Sequence, residues 1–427
     1  MSMSRLTRAL RHRNYRLFFS GQSVSLVGTW ITRVATSWLV YRLTGSELLL
    51  GVVGFCGQIP TMVLAPFAGV LVDRWDRHRL LVITQAGSMV QSFVLAVLTL
   101  RHEISVPWLL GLQIVQGVIN AFDTPARQAF VVEMVEDRAD LANAIALNSS
   151  MVNGSRIIGP SIGGLLIAAV GEGWCFMADA ISYVFVIASL LMMRLPAARP
   201  ARVEARVLEE LRVGYRYVRE SAPIRTALVV LAIVSTMAMP YSVLMPAFAA
   251  EVLHGGPNTL GLLMTASGVG ALAGGLYLAS RQSVVGLGRV AAYSTLIFGA
   301  SLIAFAFTTS MWLAMIVLPF VGAGFMVEMA ATNTVLQTLV TDDLRGRVMA
   351  FYTMAFFGTA PLGSLLAGLA ADRIGARWTI AAGGVISLAA GCWLVSRLPA
   401  LRAIVRPIYI ERGILPVPAV DSGTKTL

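Results

Sequence analysis

The sequence predicts an all-helical membrane protein whose chain crosses the bilayer twelve times. Hydrophobic residues make up 57% of the 427 residues, charged residues only 13%, and the mean hydropathy is +0.75, whereas soluble domains carry about a quarter charged residues. About a dozen apolar stretches reach the roughly 20 residues that a helix needs to span the hydrocarbon core. Their continuity excludes the short alternating strands of a membrane barrel, so we expect helices.

The predicted spans form two sets of six, each span being an apolar run between short loops. They cover 15–42, 47–72, 79–100, 106–127, 142–170 and 173–194, then 225–250, 258–280, 288–308, 311–336, 346–371 and 376–396. The domains follow as an N-terminal six-helix bundle over 1–195, a linker over 196–224, a C-terminal six-helix bundle over 225–400 and a tail over 401–427.

Arginine and lysine are concentrated in alternate loops. Segments on one side of the predicted bilayer hold 27 of the 33 basic residues, and two more, Arg33 and Arg156, fall inside spans. Basic residues of short loops stay in the cytoplasm, so we expect both termini there and the protein in the inner membrane of the cell. The net charge of +11 is explained by this topology, and we predict no nucleic-acid partner.

Reactive and metal-binding patterns are missing from the sequence. The three cysteines are scattered and form no CxxC pair, and the four histidines fall in loops or tails. The sequence also lacks a phosphate-binding loop, a dinucleotide fingerprint and a catalytic triad. We therefore predict no metal, no cofactor and no enzymatic activity.

The linker is predicted to contain an amphipathic helix. Val203 to Val218 carries apolar residues at helical spacing against arginine and glutamate, between prolines at 196, 200 and 223. A helix lying in the membrane interface and a simple solvated linker both fit this pattern.

The two halves also resemble repeats of each other. Gln128, Glu133 and Arg138 align with Gln337, Asp342 and Arg347 at an offset of 209 residues, between the fourth and fifth spans of each half. Parallel repeats with a substrate site between them near the midplane are one recurrent transporter plan.

One loop carries a family signature. Residues 69–79, GVLVDRWDRHR, resemble the GxxxDRxGRR loop of the major facilitator superfamily, with Asp76 where that pattern usually has glycine. Six further strings in order, from NYRLFFSGQSVSLVGTW at residue 14 to RGRVMAFYTMAFFGTAPLGSLLAGLAADRIGAR at residue 345, resemble its enterobactin-exporter-like branch, the transmembrane secretion effectors. The tail after Leu401 lies outside this resemblance.

The resemblance implies the major facilitator fold and a monomeric secondary exporter, embedded in the lipid bilayer. Its substrate would be a small organic, siderophore-like or drug-like compound, exchanged for protons by alternating access. A lysophospholipid flippase is an alternative, since related proteins move such lipids. A membrane sensor or scaffold that transports nothing is an alternative from another class.

The loop signature predicts a gate. A carboxylate gains roughly 0.3–1 kcal/mol at a helix N-terminus, and the eleventh span is expected to start at about Gly346, facing the same compartment as Asp73. We expect Asp73, with Arg74 and Arg77 as charge partners and Gly69 in the same signature, to lock the cytoplasmic side in the outward-facing state. Charges that merely set the topology are the alternative.

The fifth span contains an antiporter-like motif. Gly159, Pro160, Gly163 and Gly164 resemble the motif that marks antiporters in this superfamily, with Ser155 at a position that is usually glycine. Proline kinks a helix and glycines let a second helix approach closely. We expect this span to pack against the small residues of the eighth span, between the halves, and plain helix packing explains the glycines equally well.

Charged residues inside the spans are the remaining candidates. Such residues normally face the protein interior and find a partner. By depth alone, we predict ion pairs of Arg33 with Asp179 and of Arg156 with Asp123 or Glu328. Glu328 and Asp123 are the first candidates for the carboxylate that carries the proton, with static pairing as the alternative, and Arg156 would tolerate an anionic substrate.

Polar and aromatic residues of the spans are candidates for lining the route, and equally for hydrogen bonds between helices. They are Gln22, Trp30, Gln58, Gln113, Gln116, Asn120, Asn148, Asn153, Tyr241, Asn333 and Tyr352.

Overall fold

A computed structural model of the chain describes residues 7–135, 137–194 and 207–416. Within these ranges, the side chains at 65, 66, 69, 70, 73, 138, 207–211 and 342 lie outside the description. The described residues form helices joined by short loops, and no strand occurs among them.

The N-terminal half contains six long helices after a short 3₁₀ helix at Arg8–Arg11. They are α1 Arg13–Thr44, α2 Glu47–Arg74, α3 Arg77–Leu100, α4 Val106–Glu133, α5 Leu141–Val170 and α6 Glu172–Leu191. The linker then contributes α7, Val207–Glu220.

The C-terminal half repeats the plan with more interruptions. Its first helix, α8, runs from Ala222–Met237 through Tyr241–Ala247 and a π-helical turn at Phe248–Val252. The others are α9 Pro257–Ala279, α10 Leu287–Ala306, α11 Met311–Leu339, α12 over 342–374 and α13 over 376–411. A π-helical turn at Met354–Gly358 interrupts α12, and Gly375, with a φ of +80°, breaks the chain between α12 and α13.

Each of the twelve predicted spans coincides with one of these long helices, so the predicted fold class is confirmed. Eight helical segments of the described chain are long and apolar enough to cross a membrane by composition alone, one of them running over 343–411 across the break at Gly375. Helices α1, α4 and α5 are not among the eight, because they carry more polar and charged residues. They include Arg33, Asp123 and Arg156.

The last helix is longer than predicted. It continues from the predicted end at 396 to Glu411, so the first part of the predicted tail is helical. Tyr409 is buried, and Arg412 Nη2 donates to the carbonyl of Leu339 at the end of α11 over 3.3 Å. Hydropathy does not report contacts between residues far apart in sequence, so it did not predict this extension of the helix.

The linker helix α7 packs on the start of α12. Gly214 lies against Arg347 and Phe351, and a Cβ at Gly214 would be 3.0 Å from the Phe351 ring. The ring of Tyr215 lies 6.4 Å from the same phenylalanine, while Val213 and the arginines of the helix remain exposed. The described part of the linker therefore belongs to the C-terminal half.

The two halves meet along two helix pairs, α2 with α12 and α5 with α9. Glycines let the backbones touch in both pairs: a Cβ at Gly51 would lie 2.8 Å from the Cα of Gly368, and a Cβ at Gly164 would lie 3.1 Å from the Cα of Gly261. The predicted packing of the fifth span against the eighth is therefore present.

We call the side of the helix bundle that carries Arg8–Arg11 and the end of α13 the basic face. The four hydrogen bonds between the halves among described residues all lie at mid-depth or nearer the opposite face: Tyr41 to Glu251, Gln58 to Ser364, Ser161 to Thr265, and Thr265 to the carbonyl of Ile157. Toward the basic face, Val63 and Phe67 of α2 and Phe357 of α12 are exposed. The space between the halves is thus open on the basic face and closed on the opposite one.

Candidate functional site

Two arginines and a tryptophan meet at mid-depth in the N-terminal half. The guanidinium carbon of Arg33 lies 4.6 Å from the ring centroid of Trp30, and that of Arg156 lies 6.0 Å from the same centroid. Trp30 and Arg33 are on α1 and Arg156 is on α5, so the packing of these two helices creates the cluster. Arg33 is exposed and Arg156 is half-buried. Because an arginine at this depth is costly against lipid, we infer that Arg33 faces the space between the halves.

The antiporter-like motif holds this cluster in place. Gly159 lies directly against Trp30, leaving no room for a Cβ, and a Cβ at Gly163 would lie 3.3 Å from the Cα of Ile31. Gly164, on another side of the same helix, faces α9. The motif therefore packs α5 against α1 with two glycines and against the other half with the third.

The predicted pairing of Arg33 with Asp179 is wrong. Asp179 is buried and accepts hydrogen bonds from Thr32 and Ser92, each at 2.8 Å, with Ser182 Oγ at 3.5 Å. Its side chain is therefore satisfied by hydroxyls of the N-terminal half. Depth placed Arg33 and Asp179 at one level, but depth does not fix the direction of a side chain around its helix axis.

The predicted pairing of Arg156 with Asp123 or Glu328 is also wrong. Asp123 accepts from Thr84 at 2.9 Å and from Gln85 at 2.7 Å, and its cationic neighbour is Arg127, 3.6 Å away on the next turn. The described residues provide no ion-pair or hydrogen-bond partner for either Arg33 or Arg156.

Among the buried carboxyl groups of the described residues, Glu328 has the fewest hydrogen-bond and ion-pair partners. It is buried in α11 of the C-terminal half, with 1% of its surface exposed, and accepts one hydrogen bond at 3.3 Å from Thr332, one turn later. Its second oxygen has no partner. Burying an ionised carboxylate without partners is costly, and protonation removes the charge.

The predicted gate residues are only partly described. The surroundings of Gly69 and the side chain of Asp73 lie outside the description, so the contact of Asp73 with α12 remains a prediction. Arg77 donates to Glu133 at 2.6 Å, within the N-terminal half, and Arg74 is exposed. Helix α12 begins at Asp342, one turn before the expected start.

The replacement of glycine in the loop signature has a local explanation. Asp76 adopts a φ of −66°, which any residue tolerates, and its carboxylate accepts from the backbone N–H of Arg79 at 3.1 Å. It therefore caps the N-terminus of α3. The turn forms without the glycine.

Sequence reasoning missed an ion-pair cluster on the basic face. Asp140, which is buried, lies 2.8 Å from Arg11, 3.0 Å from His12 and 3.8 Å from Arg8. The hydrogen bond with His12, followed by the charges of the two arginines, lowers the pKa of Asp140. Three basic residues in the lead-in and one acid just before α5 were the available signal.

Comparison with known proteins identifies the family. A family model described as "Transmembrane secretion effector" matches residues 6–411. The chain belongs to this family of major facilitator transporters. The match extends past Leu401, so the expectation that the segment after this residue lies outside the resemblance is wrong as far as residue 411.

Relatives of this family member include transport proteins of several bacteria. The chain is 26% identical to a staphyloferrin A transporter of Staphylococcus aureus, with 87% of this chain and 93% of the relative covered. It is 29% identical to the multidrug efflux pump Tap of Mycolicibacterium fortuitum, covering 88% and 93%. It is 23% identical to macrolide efflux protein A of Streptococcus pyogenes, covering 91% and 98%.

Solved structures support the same fold. A bacterial homologue of the human lysosomal transporter Spinster, solved in an inward-facing and unoccupied conformation, aligns with a TM-score of 0.68 at 14% identity, covering 95% of this chain and 99% of that one. The nucleoside transporter NupG aligns with a TM-score of 0.71 at 11% identity, covering 90% and 99%. The chain is thus a multi-pass membrane transporter, and its relatives are transporters rather than enzymes.

Proposed function

We propose that the protein exports a small organic compound by alternating access of the space between its two halves. The observation that carries this proposal is the way the halves meet: the pairs α2 with α12 and α5 with α9 join them at mid-depth and toward the opposite face, while the described residues form no hydrogen bond or ion pair between the halves nearer the basic face. The efflux proteins among the relatives support the outward direction.

We place the basic face in the cytoplasm and the protein in the inner membrane, as a monomer. The distribution of arginine supports this orientation, because loops of the opposite face hold only Arg42, Arg101, Arg373 and Arg377. Both ends of the chain are then cytoplasmic. A compound dissolved in the cytoplasm or in the inner leaflet enters the cavity directly in this state.

We further propose that protons drive export and that Glu328 carries them. Its unpartnered oxygen and single weak donor favour the neutral form while the residue is sealed inside the C-terminal half. Ionisation requires water or a cation, which a rearrangement of the half can admit. Asp123 and Asp179 are less suitable, because each already has at least two strong donors within its own half.

The test uses inverted vesicles from a bacterial strain without its major efflux pumps. Under an imposed pH gradient, the unmodified protein should accumulate at least one member of a panel of anionic, neutral and cationic fluorescent dyes. Glu328→Gln should lose accumulation at least tenfold yet still exchange dye between equal concentrations, because the amide keeps the shape of the carboxyl but cannot release a proton.

Glu103→Gln is the matched control, since Glu103 is exposed in a loop of the opposite face. It should accumulate dye normally. Equal accumulation by Glu328→Gln and the unmodified protein would rule out the coupling role. Movement of labelled lysophospholipid with no movement of any dye would contradict the exporter proposal itself and favour a flippase, and movement of neither would favour a sensor or scaffold.

A further inference from the structure

We propose that Arg33, Arg156 and Trp30 form a binding site for an organic anion, and that the exported compounds carry carboxylate or other acidic groups on a partly apolar body. This inference rests on the proposed export function and specifies its substrate class. Four observations support it: the distance between the two guanidinium groups, their lack of anionic partners among the described residues, their accessibility, and the aromatic residues that the C-terminal half contributes.

The two guanidinium groups are close enough for one ligand to contact both. Both lie near the centroid of the same indole ring, at 4.6 and 6.0 Å, so their separation cannot exceed the sum of these two distances. The carboxylates of one organic acid can reach both groups within this limit. Guanidinium forks bind carboxylates through paired hydrogen bonds, which makes arginine the usual residue for recognising them.

The charge of the cluster is not neutralised by the protein. Asp123 is bound by Thr84, Gln85 and Arg127, while Asp179 is bound by hydroxyls. Glu328 has no ion-pair partner in the structure. Two arginines at this depth normally find anionic partners, so the described residues leave an anion from solution as the group that completes the cluster.

The cluster is accessible and its geometry is fixed. Arg33 is exposed, and the described residues form no hydrogen bond or ion pair between the halves on the side of the basic face. Gly159 allows α5 to pack directly on Trp30, and the ring in turn supports both guanidinium groups through cation–π contacts. The donors are therefore held in place before a ligand arrives, which lowers the entropic cost of binding.

The C-terminal half contains an aromatic cluster of its own. Tyr241 of α8 is buried, shares a hydrogen bond at 2.7 Å with the hydroxyl of Ser267, and packs edge-on against Phe298. An apolar body next to the acidic group has a suitable surface there. A ligand held between Arg156 and Tyr241 contacts both halves and can couple its binding to their movement.

The test compares two dyes of the same ring system and opposite charge. Carboxyfluorescein and rhodamine 6G are titrated against the purified full chain in nanodiscs, and their binding is followed by fluorescence anisotropy. The unmodified protein should bind carboxyfluorescein at least tenfold more tightly than rhodamine 6G, with binding weakened by salt.

The variants then locate the site. Arg33→Gln and Arg156→Gln should each raise the dissociation constant for carboxyfluorescein about tenfold, Arg33→Lys and Arg156→Lys should retain most of the affinity, and Arg33→Glu should shift the preference toward rhodamine 6G. Arg101→Gln, at an exposed position outside the cavity, is the control and should change nothing. The thermal melting temperature of each variant shows that it is folded.

Three results would each overturn the anion site. They are tighter binding of rhodamine 6G than of carboxyfluorescein by the unmodified protein, no binding of carboxyfluorescein, and unchanged affinity for carboxyfluorescein in the double glutamine variant, which carries both Arg33→Gln and Arg156→Gln. The export proposal fails separately, when inverted vesicles accumulate none of the dyes. Dye accumulation that persists in the double glutamine variant leaves export intact and removes only the anion site.

Discussion

At the scale of single residues, Asp140 shows how the lead-in before α1 is attached to the bundle. Its carboxylate is shared by Arg8, Arg11 and His12, the backbone N–H of Ala9 donates to Asn143, and the hydroxyl of Tyr15 donates to the carbonyl of Ala144 at 2.7 Å. These contacts attach the N-terminal segment to the start of α5. That helix also carries Arg156.

The Asp140 cluster predicts a defined pH dependence of stability. The pKa of Asp140 is lowered from its usual 3.8 in the folded protein, so the cluster stabilises fully above that value and is lost as pH falls through the lower, folded pKa. Asp140→Asn should therefore reduce the melting temperature in detergent at pH 5–7, and this difference should shrink below about pH 4.

The neighbouring Asp137 is the matched control. It is half exposed, and its one ion-pair partner among the described residues is Arg11 at 3.3 Å. Its other oxygen accepts from the backbone N–H of Ala139 at 2.9 Å, which an asparagine can also do. Asp137→Asn should therefore have a much smaller effect at every pH. A melting temperature of Asp140→Asn equal to that of the unmodified protein at pH 6 would show that the cluster contributes nothing to stability.

Residue roles were predictable only to a limited extent. The sequence correctly marked Arg33 and Arg156 as charges within the membrane-spanning helices, because any arginine within an apolar run is conspicuous. It failed to predict their surroundings, since the donors around Asp179 are Thr32, Ser92 and Ser182 from three helices. Hydroxyl residues are common in spans, and only the rotation of each helix shows which of them converge.

At the scale of helices, hydropathy predicted nearly every boundary within a few residues. It did so because apolar length is what the bilayer selects. The larger differences are at the ends of α4 and α13, where the helices continue beyond the predicted spans into the basic face. The π-helical turns in α8 and α12 have no comparable signature in the sequence, since they depend on local packing.

The pair α5 with α9 depends on the absence of a side chain at Gly164. A Cβ there would lie 2.7 Å from the carbonyl oxygen of Pro257, and these are backbone atoms that cannot turn aside. Gly164→Val should separate the two helices, lower the free energy of unfolding by about 1–3 kcal/mol, and open the seal on the opposite face.

The opening can be measured by cysteine labelling. In a variant lacking Cys56, Cys175 and Cys392, a cysteine introduced at Ser161 should react several-fold faster with a membrane-impermeant maleimide applied from outside when Gly164→Val is present. Gly154→Val, on the same helix but with open space around its Cβ, is the control and should leave the rate unchanged. An unchanged rate in both variants would mean that this contact does not form the seal.

At the scale of the whole molecule, the contacts between the halves correspond to one end of the proposed cycle of alternating access. They lie at mid-depth or beyond, so the halves can rock about the crossings of α2 with α12 and of α5 with α9. Closing the basic face requires new contacts there. Among described residues, the ion pairs at this face, such as Arg77 with Glu133, join parts of the N-terminal half only.

We propose that Asp73 supplies one of these contacts, by meeting the N-terminus of α12 when the basic face closes. A carboxylate gains about 0.3–1 kcal/mol at such a site, which corresponds to a two- to fivefold shift between the open and closed states. Asp73→Asn should therefore reduce transport by about this factor. It should also speed the labelling, from the cytoplasmic side, of a cysteine introduced at Val63, which is exposed in the present state.

Asp76→Asn tests whether the effect is specific to position 73. Asp76 is in the same loop and caps α3 through the N–H of Arg79, and asparagine caps a helix as well as aspartate does. This variant should transport normally, although it loses the same charge. If Asp73→Asn inserts normally and transports as well as the unmodified protein, the proposed latch does not exist. If both variants lose the same amount of transport, the loss is due to the charge of the loop, which sets the membrane topology, and not to a contact made by Asp73.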